Sequence, residues 1–396
     1  MRRLLLLALF SMVLLTSCGN KNNTITNPVI ESTWEIAIGT GADERAFDAV
    51  RSSSGGFIIG GQRGLRGNSD VLLGKVDGSG STVWERTFGG IDEDVVYGVA
   101  EAPNGGIYAA GKTKRTIDPD TSAYLIHTDD TGHVVWETRL GGAGEDEGHD
   151  VVALPDNGCV IVGTIENKFF GSYNMFAARY SEDGTRVWEQ EYGGDLVEIG
   201  LSCATTSDGG FVISGSTTAF GEGQHQAYVV KVGSDGAYQW DWVLDSAYIS
   251  VANAIVETSD DGYLIGGYVM RTQTDHDAFV LKLDFSRGVA WMQVLGQNGS
   301  GYDDDCYAVA EVSPYVYAAV GRTSSFGAKI EDAFLTQFHQ DGVQIGTILY
   351  GEHSFDEAYA VDVLPGGGFL LAGATRSIGA GGMDIYLIRT DSDGEL

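Results

Sequence analysis

The sequence predicts an all-β chain, a seven-bladed β-propeller of four-stranded blades, from three observations. First, Trp34, Trp84, Trp136, Trp188, Trp240 and Trp291 recur at spacings of 50, 52, 52, 52 and 51 residues. Gly346 takes the equivalent place 55 residues later, followed by Tyr350-Gly351 where other copies carry Phe88-Gly89 or Tyr192-Gly193. Second, each period holds four short runs rich in Val, Ile, Leu and aromatics, bounded by Gly, Asn, Asp and Ser. That is strand chemistry, and a period of this length suits propeller blades rather than helical hairpins. Third, the sequence finishes "RTDSDGEL", two places short of the expected Trp, while a lone Trp-bearing run "STWEIAI" occupies residues 32–38. The ring is therefore expected to close by the N-terminal strand joining the C-terminal blade, which removes the exposed edges of an open array.

The segments divide at residues 17 and 31. Residues 1–17 open with Arg2 and Arg3 and continue as an apolar run from Leu4 to Leu15, too short to span a bilayer and built like a signal peptide. Leu15, Thr16, Ser17 and Cys18 resemble the lipobox of bacterial lipoproteins. The resemblance implies that Cys18 is acylated, palmitate-type chains included, and becomes the mature terminus. It also implies a lipid-anchored protein of the bacterial cell envelope, with Gly19 compatible with the outer membrane. Residues 18–31 form the lipidated cysteine and a polar tether, and residues 32–396 the propeller.

Within a period the first run is "TVWERTF" or "RVWEQEY" and the second is short, as in "YGVA". A tight turn such as "APNGG" leads into a run ending in glycine, as in "CVIVG", and a last run reads "AYVVKVG" or "DIYLIRTD". The recurring Trp follows each outer turn and is expected to cover the gap between neighbouring blades. Both kinds of tight turn fall on one face. The blade crossings and the long, varied middle loops, such as "GTIENKFFGSYN" and "GRTSSFGAKIED", share the other. The individuality of the chain is thus concentrated on one face, as in binding faces of repeat folds.

The acidic runs Asp43-Glu44, Asp92-Glu93-Asp94, Glu145-Asp146-Glu147, Asp303-Asp304-Asp305 and Asp356-Glu357 lie in the crossings, where they read as solvated loop polarity or as a ligand surface. Beside them Phe47, Tyr97, His149, Leu201, Asn253, Tyr307 and Tyr359 form one column, followed by Asp48, Gly98, Asp150, Ser202, Ala254, Ala308 and Ala360. The first column reads as interblade packing or a ligand-stacking ring, and the second as small residues at a crowded axis. Cys159, Cys203 and Cys306 have no metal or redox spacing and read as buried apolar fillers.

The formal charge is 24 minus 55, or −31. A body this acidic excludes nucleic acid as a partner. No G-x-S-x-G elbow, H-E-x-x-H pair, Walker loop or dinucleotide fingerprint occurs, and no cofactor or metal is expected.

"YGGDLVEIGLSCATTSDGGFVISGST", residues 192–217, is similar to the bacterial beta-propeller repeat family of surface proteins. "TDDTGHVVWE" and "LDFSRGVAWM" more loosely resemble the tryptophan-docking repeats of quinoprotein alcohol dehydrogenases and of the lipoprotein scaffold that serves outer-membrane protein assembly. These resemblances imply the fold and leave the activity open. The expected function is a binding or scaffold module that recognises an envelope protein or a glycan on the long-loop face, with Phe169, Phe170, Tyr173, Phe220, Phe326, Arg271, Arg322 and Arg376 as its candidate residues. The alternative is a propeller-type glycoside hydrolase or lyase, which needs carboxylates converging near the axis.

Overall fold

The structure, a computed structural model, describes residues 32–65, 67–114, 120–167, 171–193, 195–220, 223–246, 248–272, 275–296, 302–326 and 330–396. These form seven four-stranded antiparallel sheets, each a simple meander from an inner to an outer strand. Six blades are continuous in sequence, over residues 44–88, 95–140, 147–192, 198–243, 249–295 and 304–350. The seventh combines three strands within 356–389 with Trp34–Ile38, which pairs along its last strand from Trp34 opposite Arg389 to Ile38 opposite Ile385. The expected closure is what the chain adopts.

The weld between blades is aromatic. The indole Nε1 atoms of Trp34, Trp136, Trp188 and Trp291 donate to the Gly78, Glu182, Ser234 and Gln340 carbonyls, each in the outer turn of the next blade, at 2.8 to 3.1 Å. Where Gly346 replaces the Trp, Ile348 and Leu335 pack toward Gly394. The Tyr350 hydroxyl donates to the Gly394 carbonyl at 2.7 Å, so neighbours fill that junction. Cys159, Cys203 and Cys306 are buried free thiols.

The glycine that ends each second-strand run has a steric cause. Every inner strand carries a β-bulge at the same point, between Ala46 and Asp48 in the first blade and between Ala358 and Ala360 in the last. The same irregularity falls at Tyr97, His149, Leu201, Asn253 and Tyr307. A bulge leaves one residue unpaired and re-aims its side chain. It also drives an inner-strand carbonyl against the second strand. A Cβ on Gly61, Gly111, Gly215, Gly321 or Gly373 would stand 1.8 Å from such an oxygen, and on Gly163 2.0 Å. Glycine here answers a close approach rather than a special φ.

The crossing acids divide into two populations. One acid of each run, three residues before the bulge, is buried: Glu44, Asp94, Asp146, Glu198, Asp304 and Asp356 are each at most 2% exposed. Four of them accept from the hydroxyl of a Thr nineteen residues on, namely Thr113, Thr217, Thr323 and Thr375. The glycine before each crossing gives the acid room. A Cβ on Gly141, at φ 100°, would lie 1.8 Å from Asp146 Oδ2, and the Gly142 N–H donates to that same oxygen at 2.7 Å. The reading of these runs as wholly solvated therefore fails for this member of each, because the crossing folds back over it, and also for Asp305 and Glu357, which are buried too.

Removing such an acid is expected to be costly. Asp304 accepts from the Thr323 and Ser325 hydroxyls, and Asp304→Ala should destabilise by about 3 kcal/mol as buried donors lose their acceptor. Asp303→Ala, one residue earlier and half-buried, should stay within about 0.5 kcal/mol. Urea denaturation of the two variants measures the contrast, and equal losses would contradict it.

Candidate functional site

The bulges build the ring's axis. Each turns its unpaired residue inward, and the rings of His149, Tyr97, Phe47, Tyr359 and Tyr307 form a continuous arc with neighbouring centroids 5.1 to 5.4 Å apart. The column is thus interblade packing around the axis. It also floors an open axial bowl of about 720 Å³, which runs from this level toward the tight-turn face and reaches Arg51 and Glu101.

Just beyond the floor the second column carries two carboxylates among small residues. Asp48 accepts from the Ala49 N–H and, across the blade boundary, from the Val99 N–H, both at 2.8 Å. Asp150 does the same with the Val151 and Cys203 N–H groups at 2.7 and 2.8 Å. They are staples between blades, but staples under electrostatic load. Burial, followed by repulsion from Asp150, pushes the Asp48 carboxyl up to about 7 against the pull of its backbone donors. Burial pushes Asp150 up to about 6.

On the other side of the aromatic floor lies a charge mosaic. Arg322 reaches Asp305 at 2.8 Å, Glu331 at 3.3 Å and Glu357 at 3.5 Å. Lys112 bridges Glu93 and Glu147 at 3.4 and 3.1 Å. Arg63 bridges Glu44 and Glu85 at 2.9 and 2.6 Å. The Tyr307 and Tyr359 hydroxyls donate into the same network, to Asp305 and Glu357.

Further out on this long-loop face, equivalent clefts open at the boundaries of the first and second and of the third and fourth blades. One, of about 630 Å³, is lined by Phe88, Ile91, Thr113, Tyr124 and Arg139. Its counterpart, of about 370 Å³, is lined by Tyr192, Thr217, Phe220, Tyr228 and Tyr238. Large exposed apolar side chains gather on the same face. Leu65, Ile91, Leu196, Phe220, Tyr248, Tyr302 and Ile330 all lie in crossings, in middle loops or at their margins, and are 40 to 69% exposed. The turns of the opposite face offer Phe285, Tyr315, Val343 and Leu396 among the described residues.

The candidate residues from the sequence are distributed over five blades rather than gathered at one point. Cys18, Phe169 and Phe170 lie outside the described residues. Tyr173 is half-buried, and its backbone bridges Val197 of the following crossing. Phe220 is exposed beside Tyr228, at 6.4 Å between centroids. Phe326 packs edge-on to Phe334 against the core shared by the fifth and sixth blades. Arg271 pairs with Asp277 at 3.1 Å, Arg322 belongs to the mosaic, and Arg376 covers the Phe355 ring at 5.8 Å. Sequence reasoning passed over Ile91, Leu196, Tyr248 and Tyr302, although apolar residues inside acidic crossings were a visible signal. It also placed Asp48 and Asp150 in a small-residue column without weighing two acids among Gly, Ala and Ser.

Geometry thus defines a closed seven-bladed propeller with a floored axis, and solved structures share that architecture. No family model matches the chain. The structure described as YCF48 bound to D1 peptide aligns with a TM-score of 0.50 at 14% identity, covering 91% of this chain and 95% of that one. The Pan2 WD40 domain of Neurospora crassa aligns with a TM-score of 0.53 at 10% identity, covering 89% and 90%. Among curated proteins, the regulatory protein FlaEY of Caulobacter vibrioides is 25% identical over 170 residues, 37% of this chain and 18% of that protein. The chain spans less than a fifth of that relative.

Proposed function

We propose that this chain is an interaction module, held at the bacterial cell envelope through acylated Cys18, that recognises a partner protein or glycan with its long-loop face. The observation that carries the reading is the exposed apolar set Leu65, Ile91, Leu196, Phe220, Tyr248, Tyr302 and Ile330 on that face, set among interblade clefts and paired charges. Scattered single apolar residues need no explanation, but seven of them grouped on one face with a polar surround have the composition of a recognition surface. The anchor rests on the Arg pair, the apolar run and "LTSC". Mass spectrometry of the mature terminus is expected to find acylated Cys18, and an unmodified terminus elsewhere removes that part.

The surface is tested by affinity capture from native envelopes and by a glycan array. Ile91→Ser with Phe220→Ser, both at exposed sites, should leave stability within about 1 kcal/mol while losing the partners that the unaltered chain retains. Phe285→Ser with Tyr315→Ser on the opposite face should retain them. Equal retention by both variants overturns the reading.

The raised pKa values of Asp48 and Asp150 favour a second reading, a carboxylate hydrolase or lyase working in the axial bowl, because protonated and ionised acids then coexist near neutrality. Against it, both carboxylates are tied to backbone N–H groups in interblade staples. Turnover in a glycan panel that disappears in Asp150→Asn would move the assignment there.

A further inference from the structure

The axial bowl opens on the tight-turn face, away from the surface just assigned to partners. We propose that it binds an organic cation, a primary ammonium or guanidinium on a short aliphatic body, with Asp48 and Asp150 as its anionic partners and the aromatic arc beneath it. The site is independent of the long-loop reading, and either can stand without the other.

Placement comes first. Asp48 on the first blade and Asp150 on the third flank Gly98 of the second. Asp48 Oδ2 accepts from the Val99 N–H, and a Cβ on Gly98 would stand 2.9 Å from Asp150 Oδ1. With no side chain at Gly98, the two carboxylates address the same sector of the bowl. Each of their oxygens takes one main-chain N–H, and a carboxylate oxygen has a second lone pair to offer. The backbone donors therefore fix the pair in position; Asp150 is also held by the Ser202 and Cys203 side chains, whereas Asp48 has only its two backbone donors among the described residues and keeps the larger acceptor capacity.

Compensation is the second point. Carboxylates that accept two backbone N–H groups ordinarily titrate low, yet these are raised by burial, and Asp48 also by its neighbour. The other titratable groups around the bowl do not neutralise them. Burial pushes the His149 imidazole on the third blade below its ordinary value, which keeps it uncharged at neutral pH. Asp362 on the seventh blade is itself raised by burial, with Arg51 acting to lower it. Glu101 at the rim accepts from Ser52 and Ser53 of the neighbouring turn. Arg51 is the one Arg or Lys among the described lining residues. A cation entering the bowl supplies the missing counter-charge.

The class of cation follows from the walls. A volume of about 720 Å³ bounded by Val50, Val99, Val151 and Ile255 exceeds what a bare ion fills and suits an aliphatic stem. An aromatic floor favours an organic cation electrostatically.

Calorimetric titration of the full chain with 1,5-diaminopentane, agmatine and a doubly blocked lysine tests the proposal. Saturable one-to-one binding of at least one probe is expected at pH 8. The cation requires both acids ionised, so affinity is nearly full at pH 8 and is lost as pH falls through about 7, for Asp48, and about 6, for Asp150. Between pH 8 and pH 5 it should drop by about a thousandfold. Ala308→Leu, which narrows the bowl from the sixth blade without touching either acid, should weaken binding at least about tenfold. The pH profile is read on the unaltered chain and stands whether or not that variant folds. Tightest binding of the blocked lysine identifies a protein's basic side chain as the source, and tightest binding of the diamine or agmatine a free amine. Flat isotherms with all three probes at millimolar concentration, or binding indifferent to pH, overturn the proposal.

Discussion

Deletion of residues 32–38 is expected to turn a stable fold into a chain that unfolds at markedly lower denaturant and self-associates. The segment supplies the whole outer strand of the seventh blade, five residues paired in register from Trp34 to Ile38. Its inward side chains Trp34, Ile36 and Ile38 pack on a core shared by the first and last blades, among Phe57, Leu72, Leu370 and Leu387. Trp34 and Arg389 both donate to the Gly78 carbonyl, at 3.0 and 2.8 Å, which ties the seventh blade to the outer turn of the first. Losing a half-buried Trp alone costs on the order of 2 kcal/mol. The deletion adds two Ile side chains, and it leaves the strand at 384–389 with an unpaired edge open to another copy. Urea titration with light scattering measures both effects. An equally stable monomer would show that the ring does not depend on this strand.

That closure was legible because an unfinished repeat at each end is a sequence fact. The fold as a whole was legible for the same reason: Trp, turn and glycine-ended run recur at a fixed period, so each copy checks the others. Other features were hidden by what periodicity cannot express. Asp303, Asp304 and Asp305 are chemically alike in the sequence, and only the fold-back of the crossing places Asp304 at full burial beside Thr323. Asp48 and Asp150 stand two periods apart and face one sector only because the intervening blade presents Gly98 between them. Loop length placed the crossings and middle loops together on one face. Which of their side chains stand exposed was not legible, since loops that do not repeat offer no internal comparison, and attention to Phe and Arg there passed over the exposed Ile91 and Leu196.

The glycine at the end of the second-strand run supplies the sharpest test of how the axis is made. Gly321→Ala is expected to destabilise by about 3 kcal/mol or more, at the upper end of overpacking effects, although alanine is ordinarily a modest change. The added Cβ would stand 1.8 Å from the Asp305 carbonyl oxygen and 3.0 Å from a ring carbon of Phe334. The first of these is backbone and has no rotamer to escape into. Relief requires the inner strand to shift at the bulge between Cys306 and Ala308, which is what aims Tyr307 at the axis. The variant should therefore lose more than stability. Tyr307 lies 5.1 Å from Tyr359 in the aromatic arc and donates to Asp305, so near-ultraviolet circular dichroism of the tyrosines should change with it. Gly346→Ala is the matched control, because nothing lies within 4 Å of its Cβ, and alanine there should cost nothing or stabilise slightly. If thermal melts place the two variants together, the bulge is not what the glycine serves. If Gly321→Ala is destabilised while the tyrosine signal stays unchanged, the bulge yields without moving the axis, and the link between the repeat's glycine and the floor of the bowl is broken.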